Sequence, residues 1–241
     1  IISKEAADSC PKTSPPELSK QGLEDAWFPR RLSDLPAGVR GSGAVQQITD
    51  ADSNIGGASA ATLWNQLDMV LCINLRSRPD RRADAVTQFE KVGLSDKVDF
   101  FLADKSPEGG RVGCYNSHRA CMQKAYDAGC KMLAVFEDDV EFNDGWEKVV
   151  DDCLKFLHQS PHEQVDVVQL GGNMEHVHKD CGALWKGAFL LAHAYIVTRP
   201  GMRRFLDRMP PDYAGSSFCK IDFDNAWGLV LPNMYMHKQF R

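Results

Sequence analysis

Residues Lys131–Phe142 read KMLAVFEDDVEF, and the fold turns on them. The apolar run KMLAVF has the length and composition of a buried strand. It ends on three consecutive carboxylates, Glu137, Asp138 and Asp139, with Glu141 two residues later. Crowded carboxylates repel one another, and removal from water raises their pKa values further. Such an ending is tolerable only where solvent at a turn, or a cation, absorbs the charge.

Outward from this stretch the same alternation repeats. Upstream, MVLCINL (69–75) is a short β-rich run. RPDRRADAVTQFEKVGL follows, with Ala83, Val86, Phe89 and Val92 at helical spacing and Gly93 as the stop. VDFFLA (98–103) is a second strand, and SHRACMQKAYDAGC a helix capped by Asn116 or Ser117 and closed at Gly129. Downstream, GWEKVVDDCLKFLHQS carries the stripe Trp146, Val149, Val150, Cys153, Leu154, Leu157. VDVVQLG and FLLAHAYIV are a fourth and a fifth strand, and Pro200 opens a last helix. Strands separated by helices predict an α/β fold: a mostly parallel, Rossmann-related sheet with helices on both faces. Ligands of such sheets sit beyond the carboxyl ends of the strands. INL, EDDVE and the GGN after VVQL are three polar strand ends that converge on one crevice.

The chain is long enough, at 241 residues, for one substantial core. Its net charge of −5 argues against a general nucleic-acid binder. The most apolar stretch, GALWKGAFLLAHAYIVT, is short for a membrane span and is broken by Lys186 and His193, so membrane association is expected only through segments not in this chain. The first residue is not Met, which suggests a processed or trimmed product. Residues 1–66 are rich in Pro, Gly, Ser and Ala and read as an extension or linker, with Trp27, Phe28 and Leu32 as docking points; residues 67–241 read as the folded domain. The eight cysteines show no zinc-type CxxC pairing. Cys72, Cys114, Cys121, Cys130 and Cys153 fall in or beside regular elements as buried thiols, whereas Cys10, Cys181 and Cys219 are free to pair in an oxidising compartment.

Several constellations carry chemistry. On an extended chain Glu137, Asp139 and Glu141 share one face, roughly 7 Å apart, while Asp138 points away. Hard oxygen ligands of this kind suit Mn²⁺ or Mg²⁺ together with substrate phosphates. The alternative is a solvated acidic turn that caps the next helix. Past the first strand stand four arginines; Arg78 and Arg81 are placed for a phosphate-bearing ligand, Arg76 and Arg82 for the surface. GCYNSH puts Ser117 and His118 at the expected helix N-terminus, either as an anion site or as an ordinary cap. Near the end, Asp222 or Asp224 offers a general base and His237 a further metal ligand, against the plainer readings of turn aspartates and a surface imidazole.

Taken in order, INLRSRPDRR, GCYNSH, AVFEDDVEF, DVVQLGG and AHAYIVTRPGMRRFL resemble glycosyltransferase family 25, from about Met69 to about Gln239. That resemblance implies a GT-A-like fold, a UDP-sugar donor, Mn²⁺ or Mg²⁺, and transfer of a hexose, galactose by family habit, with inversion. It puts Asn74, Leu75, Arg78, Asp80, Arg81, Ser117, His118, Glu137 and Asp138 on the donor side. Glu137, Asp139 and His237 fall to the metal, and Asp222 and Asp224 to catalysis. The implied acceptor is a glycan, glycolipid or glycoprotein hydroxyl, as in lipopolysaccharide biosynthesis; the compartment is the Golgi or ER lumen if the source is eukaryotic, the cytoplasm if bacterial. KIDFDNAW offers two aspartates where one is expected. Two other classes stay open: a non-catalytic sugar-nucleotide or glycan-binding relative, and a metal-dependent phosphohydrolase.

Overall fold

The computed structural model describes residues 60–161, 164–216, 218 and 222–239. The chain enters through a short helix, α1 (Ala60–Trp64), and then strand β1 (Met69–Leu75). Helix α2 (Pro79–Lys91), β2 (Val98–Ala103), α3 (Gly110–Asp127), β3 (Met132–Glu137), α4 (Trp146–Gln159) and β4 (Val167–Gln169) follow. A hairpin, β5 (Asn173–Cys181) and β6 (Leu184–Leu190), leads to β7 (Ala194–Thr198), α5 (Arg199–Arg208), α6 (Phe223–Val230) and β8 (Met234–His237).

The strands form one sheet in the order β2-β1-β3-β7-β4-β8-β6-β5. The α/β class holds, with helices on both faces, but the sheet is mixed rather than mostly parallel. β1 pairs parallel with β2 and β3, and β4 with β8; β7 runs antiparallel to β3 and β4, and β6 antiparallel to β5 and β8. The error has a local cause. An apolar run such as FLLAHAYIV looks like one buried strand, because continuous hydrophobicity carries no period with which to detect a break. The chain breaks it at Leu191, whose φ is +67°, unusual for a residue with a branched side chain. The β6 strand ends before this kink and β7 begins after it, running in the same sense but displaced across β8 and β4, so that β7 enters the sheet antiparallel between β3 and β4.

Central strands are covered on both sides. On one face Phe89 of α2 and Val149, Val150, Cys153 and Leu154 of α4 pack on Val70, Ala134 and Phe136. On the other, Tyr115, Cys121 and Met122 of α3, Phe205 of α5 and Trp227 of α6 pack on Leu71, Leu133 and Val135. Alternate residues of β1 and β3 thus feed opposite cores, as the period of two requires. Gly93, at φ +65°, ends the α2 turn where the sequence placed the stop. Among the described residues the six cysteines 72, 114, 121, 130, 153 and 181 are free thiols. No helix among the described residues is long and apolar enough to cross a membrane.

Residues 1–59, with Trp27, Phe28, Leu32 and Cys10, lie outside the described residues, as does Cys219. The end of the expected extension does not behave as a linker. Leu63 and Trp64 of α1 and Leu67 are buried, so the boundary expected at 66/67 cuts through the packed unit. The Trp64 ring stacks on Trp146 at 5.3 Å, and its Nε1–H donates to the Val92 carbonyl at 2.9 Å. Burying an indole with its donor satisfied is a large apolar contribution. Trp64→Ala should therefore lower unfolding stability by about 3–5 kcal/mol in urea titration. A loss below about 1 kcal/mol would mean that α1 is a dispensable attachment.

Candidate functional site

β1 and β3 run side by side and in the same direction, so their carboxyl ends open together at the point where the strand order reverses. β3 stops at Glu137, and Asp138 and Asp139 form a turn. The strand alternation therefore ends one residue earlier than an extended reading of EDDVE assumes. Asp138, expected to point away, is buried and central. Asn74 Nδ2, at the end of β1, donates to Asp138 Oδ2 at 2.7 Å, and Arg81 Nη1, on α2, donates to Oδ1 at 2.9 Å. Asp139 is more exposed and lies 3.5 Å from the same guanidinium. Asn74 Nδ2 also donates to the Arg78 carbonyl at 3.0 Å, which ties the turn after β1 to the acidic turn after β3.

Glu137 turns to the other side. Its Oε1 lies 3.1 Å from His118 Nε2, and His118 Nδ1 lies 2.9 Å from the Tyr195 hydroxyl. The His118 ring is buried and stacks on Phe223 at 4.4 Å. Burial alone would raise the Glu137 carboxyl; the hydrogen bond from His118, with the nearby positive charge of Arg81, outweighs it and holds the group below its ordinary value. Cys114, one helical turn before His118 on α3, completes the group. Burial, with the negative charges of Glu137, Asp224 and Asp222, pushes its thiol up to about 12. The crowding of carboxylates is thus relieved by protein donors: Asn74 and Arg81 for Asp138, His118 for Glu137, Arg81 for Asp139.

Arg81, Asp138, Glu137, His118 and Cys114 line a cavity of about 460 Å³ with Leu75, Arg78 and the glycines Gly109, Gly110 and Gly113. The α3 helix begins at Gly110, not at Asn116 or Ser117, so GCYNSH lies inside it. Ser117 donates its hydroxyl to the Gly113 carbonyl at 2.8 Å, and His118 presents a side chain rather than a free amide. The uncapped end sits at Gly109, whose φ of +104° suits glycine and whose helix has no side-chain cap. First-turn N–H groups without a cap favour an anion. The Gly109-Gly110 pair was the available signal, and the Cys114–His118 spacing of four would have followed from it.

A second cavity, about 340 Å³, lies across the acidic turn, lined by Asp139, Phe142, Trp146, Gly171, Leu191 and His193. Other expected residues are placed differently. Asp80 is exposed and paired with Arg78 at 2.6 Å; that guanidinium's hydrogen bonds hold its carboxyl down to about 2. Asp222, at the N-cap of α6, pairs with Arg111 at 2.7 Å. Asp224 accepts the Leu191 amide at 3.0 Å and the Asn225 amide at 2.9 Å, so it holds the β6–β7 kink. His237 is not brought to Glu137 or Asp139. It sits on β8, three strand positions from β3 and about 14 Å away by strand spacing. Its Nε2 lies 3.1 Å from Asp152 Oδ2, and its Nδ1 accepts the Gln239 amide.

Residues 103–214 match the family model described as glycosyltransferase family 25 (LPS biosynthesis protein). The chain is 28% identical over 171 residues to the lacto-N-neotetraose biosynthesis glycosyltransferase LgtB of Neisseria gonorrhoeae, over 58% of this chain and 61% of that protein. LgtB of Neisseria meningitidis serogroup B (strain ATCC BAA-335 / MC58) is 26% identical over 171 residues, with 58% and 62% covered. The chain thus spans about six tenths of the length of these bacterial relatives. The inactive glycosyltransferase 25 family member 3 of Homo sapiens is 25% identical over 231 residues, covering 81% of this chain and 37% of that protein. A solved structure, the mannose-1-phosphate geranyltransferase of Thermus thermophilus, aligns at a TM-score of 0.40 and 11% identity over 70% of this chain and 73% of its own, too slight a likeness to bear on fold or function.

The His118–Glu137 pair has a pH signature. Glu137 has a lower pKa folded than unfolded, so its contribution to stability is complete above its ordinary value of 4.5 and is lost as pH falls through the depressed folded value. In His118→Gln the burial effect is left unopposed by that imidazole, and the Glu137 carboxyl should titrate higher than in the parent chain by carbon-13 NMR. An unmoved titration would show that His118 does not set it.

Proposed function

We propose, for a chain whose residues 103–214 match the glycosyltransferase family 25 model, an inverting transfer of a hexose, galactose first among them, from a UDP-sugar to a glycan hydroxyl. The observation that carries this reading is the 460 Å³ cavity, which opposes two arginines to an uncapped helix N-terminus. That pairing suits a diphosphate: Arg78 and Arg81 supply planar forks, and the first-turn amides at Gly110 supply convergent donors. Ile73 and Leu75 offer an apolar wall to the base.

The acidic turn then separates the donor from the 340 Å³ cavity, which suits the acceptor. In the transfer, the acceptor oxygen attacks the anomeric carbon, the bond from that carbon to the diphosphate breaks, and UDP leaves. The proton passes to a carboxylate. Of the two late aspartates Asp222 keeps more acceptor capacity, because both oxygens of Asp224 accept backbone N–H groups, whereas Asp224 is the one joined to the acceptor cavity, through Leu191. Asp139 fits a hard divalent ion: half exposed, with Arg81 at 3.5 Å, it is one carboxylate of the kind that Mn²⁺ or Mg²⁺ combines with substrate phosphates. Asp139 lines the 340 Å³ cavity, and an ion held there would supply positive charge to the leaving diphosphate across the acidic turn. Arg81 holds the turn that presents Asp139, and His118 keeps Glu137 ionised toward the cavity.

A second reading, a sugar-nucleotide binder without turnover, draws on the human relative, which is named as inactive and aligns with 81% of this chain. A UDP-release assay with UDP-galactose and Mn²⁺ separates the two. Transfer predicts measurable release that falls about 100-fold or more in Asp139→Ala and in Arg81→Ala. Release unchanged in Asp139→Ala would discard the ion's placement. Tight UDP binding with no release by the parent chain would favour the binder, and release of inorganic phosphate or UMP would favour a phosphohydrolase.

A further inference from the structure

Cys114, His118 and Glu137 are usually opposed in their preferences, a soft thiol, an imidazole and a hard carboxylate, yet their ligand atoms all lie within 4.8 Å of one another. Two come from one face of α3 at a spacing of four, and the third from the end of β3. All three line the 460 Å³ cavity. We propose that they form a three-ligand site for a borderline-soft divalent cation, Zn²⁺ above all, with the fourth coordination position open to that cavity.

The geometry is close to what such an ion requires. At zinc–nitrogen and zinc–oxygen distances near 2.0–2.2 Å and tetrahedral angles, two ligand atoms on one ion stand about 3.3 Å apart. His118 Nε2 and Glu137 Oε1 stand 3.1 Å apart. An ion between them takes the place of the shared proton, and the Cys114 Sγ lies within 4.8 Å of both atoms. Tyr195 makes that exchange possible. Without an ion, Nε2–H donates to Glu137 and the Tyr195 hydroxyl donates to Nδ1. With an ion on Nε2, the ring proton sits on Nδ1 and donates to the same hydroxyl, which can act in either sense. The His118 ring keeps its orientation in both states, stacked on Phe223. A partner that fixes the far nitrogen is the usual support of a metal-binding imidazole. The Cys114 thiol gives up its proton to solvent as the ion binds.

Sulfur sets this site apart from an ion at Asp139. Mn²⁺ and Mg²⁺ favour oxygen alone, whereas thiolate, imidazole and carboxylate together favour Zn²⁺ and Co²⁺. Three protein ligands with one position left open is also the pattern of zinc sites that bind a water or an anion. The proposal stands whether or not the chain transfers a sugar.

The test is spectroscopic and needs no donor. Co²⁺ added to the full chain should give tetrahedral visible bands and a thiolate-to-metal charge-transfer band that saturate at one ion per chain, and Zn²⁺ should displace them. Cys114→Ser should abolish the charge-transfer band. Tyr195→Phe should keep it while weakening Zn²⁺ binding by about 10- to 100-fold, as loss of a supporting partner does. A purely structural role for these side chains predicts altered melting temperature with no band to lose. Absence of the band in the parent chain, or its persistence in Cys114→Ser, would overturn the site.

Discussion

Negative charge at the end of an apolar strand is the constraint on which the rest of this molecule is built. β3 needs a dry environment along its length, and its last residue and the two after it need partners. Asp138 obtains them from β1 through Asn74 and from α2 through Arg81; Glu137 obtains one from α3 through His118. The turn thus draws its partners from three other elements. Leaving any of these buried carboxylates without its donor would cost more than the bond itself contributes. This ties the crevice to the packing of the core, since Asn74 and His118 extend from elements whose remaining residues are core.

Much of the fold was legible because it follows from periodicity. The bounds of β1 and β2 match the runs MVLCINL and VDFFLA, and the α4 stripe is the one buried against the sheet. What was not legible depends on single residues against a uniform background. The apolar run FLLAHAYIV holds the end of β6 and most of β7, two strands that share a direction but sit apart in the sheet, and the conformation of Leu191 divides them. β5 is exposed along almost its whole length, so NMEHVHKDC has no hydrophobic period to announce it. Asp138 was placed on the wrong side because a turn, which has no two-residue alternation, begins one position sooner than composition suggests. His237 was grouped with the acidic turn because the sequence names residue types but not strand order. Once β7, β4 and β8 are interleaved, His237 faces Asp152 instead.

The two cavities belong to opposite sides of the sheet. Glu137 and Asp138 face the α3 side with the arginines, and Asp139 faces the α4 side with Phe142, Trp146 and His193. A strand end is well suited to this division, because consecutive residues leave the sheet in different directions while remaining within a few ångströms along the chain. Three neighbouring carboxylates can therefore meet three different sets of partners, and the same peptide segment forms a wall of both spaces.

The left-handed residue just after β6 has a mechanical consequence. Leu191 lines one cavity, and its amide is held by Asp224 at the first turn of α6, the helix that also carries Asp222 and, through Phe223, the face on which the imidazole rests. That backbone is latched by a side chain from a helix that packs, through Phe223, on the imidazole lining the opposite pocket. Displacement of that helix by a single ångström would be felt in both spaces at once, because the latch and the stacking ring are adjacent residues on one rigid rod.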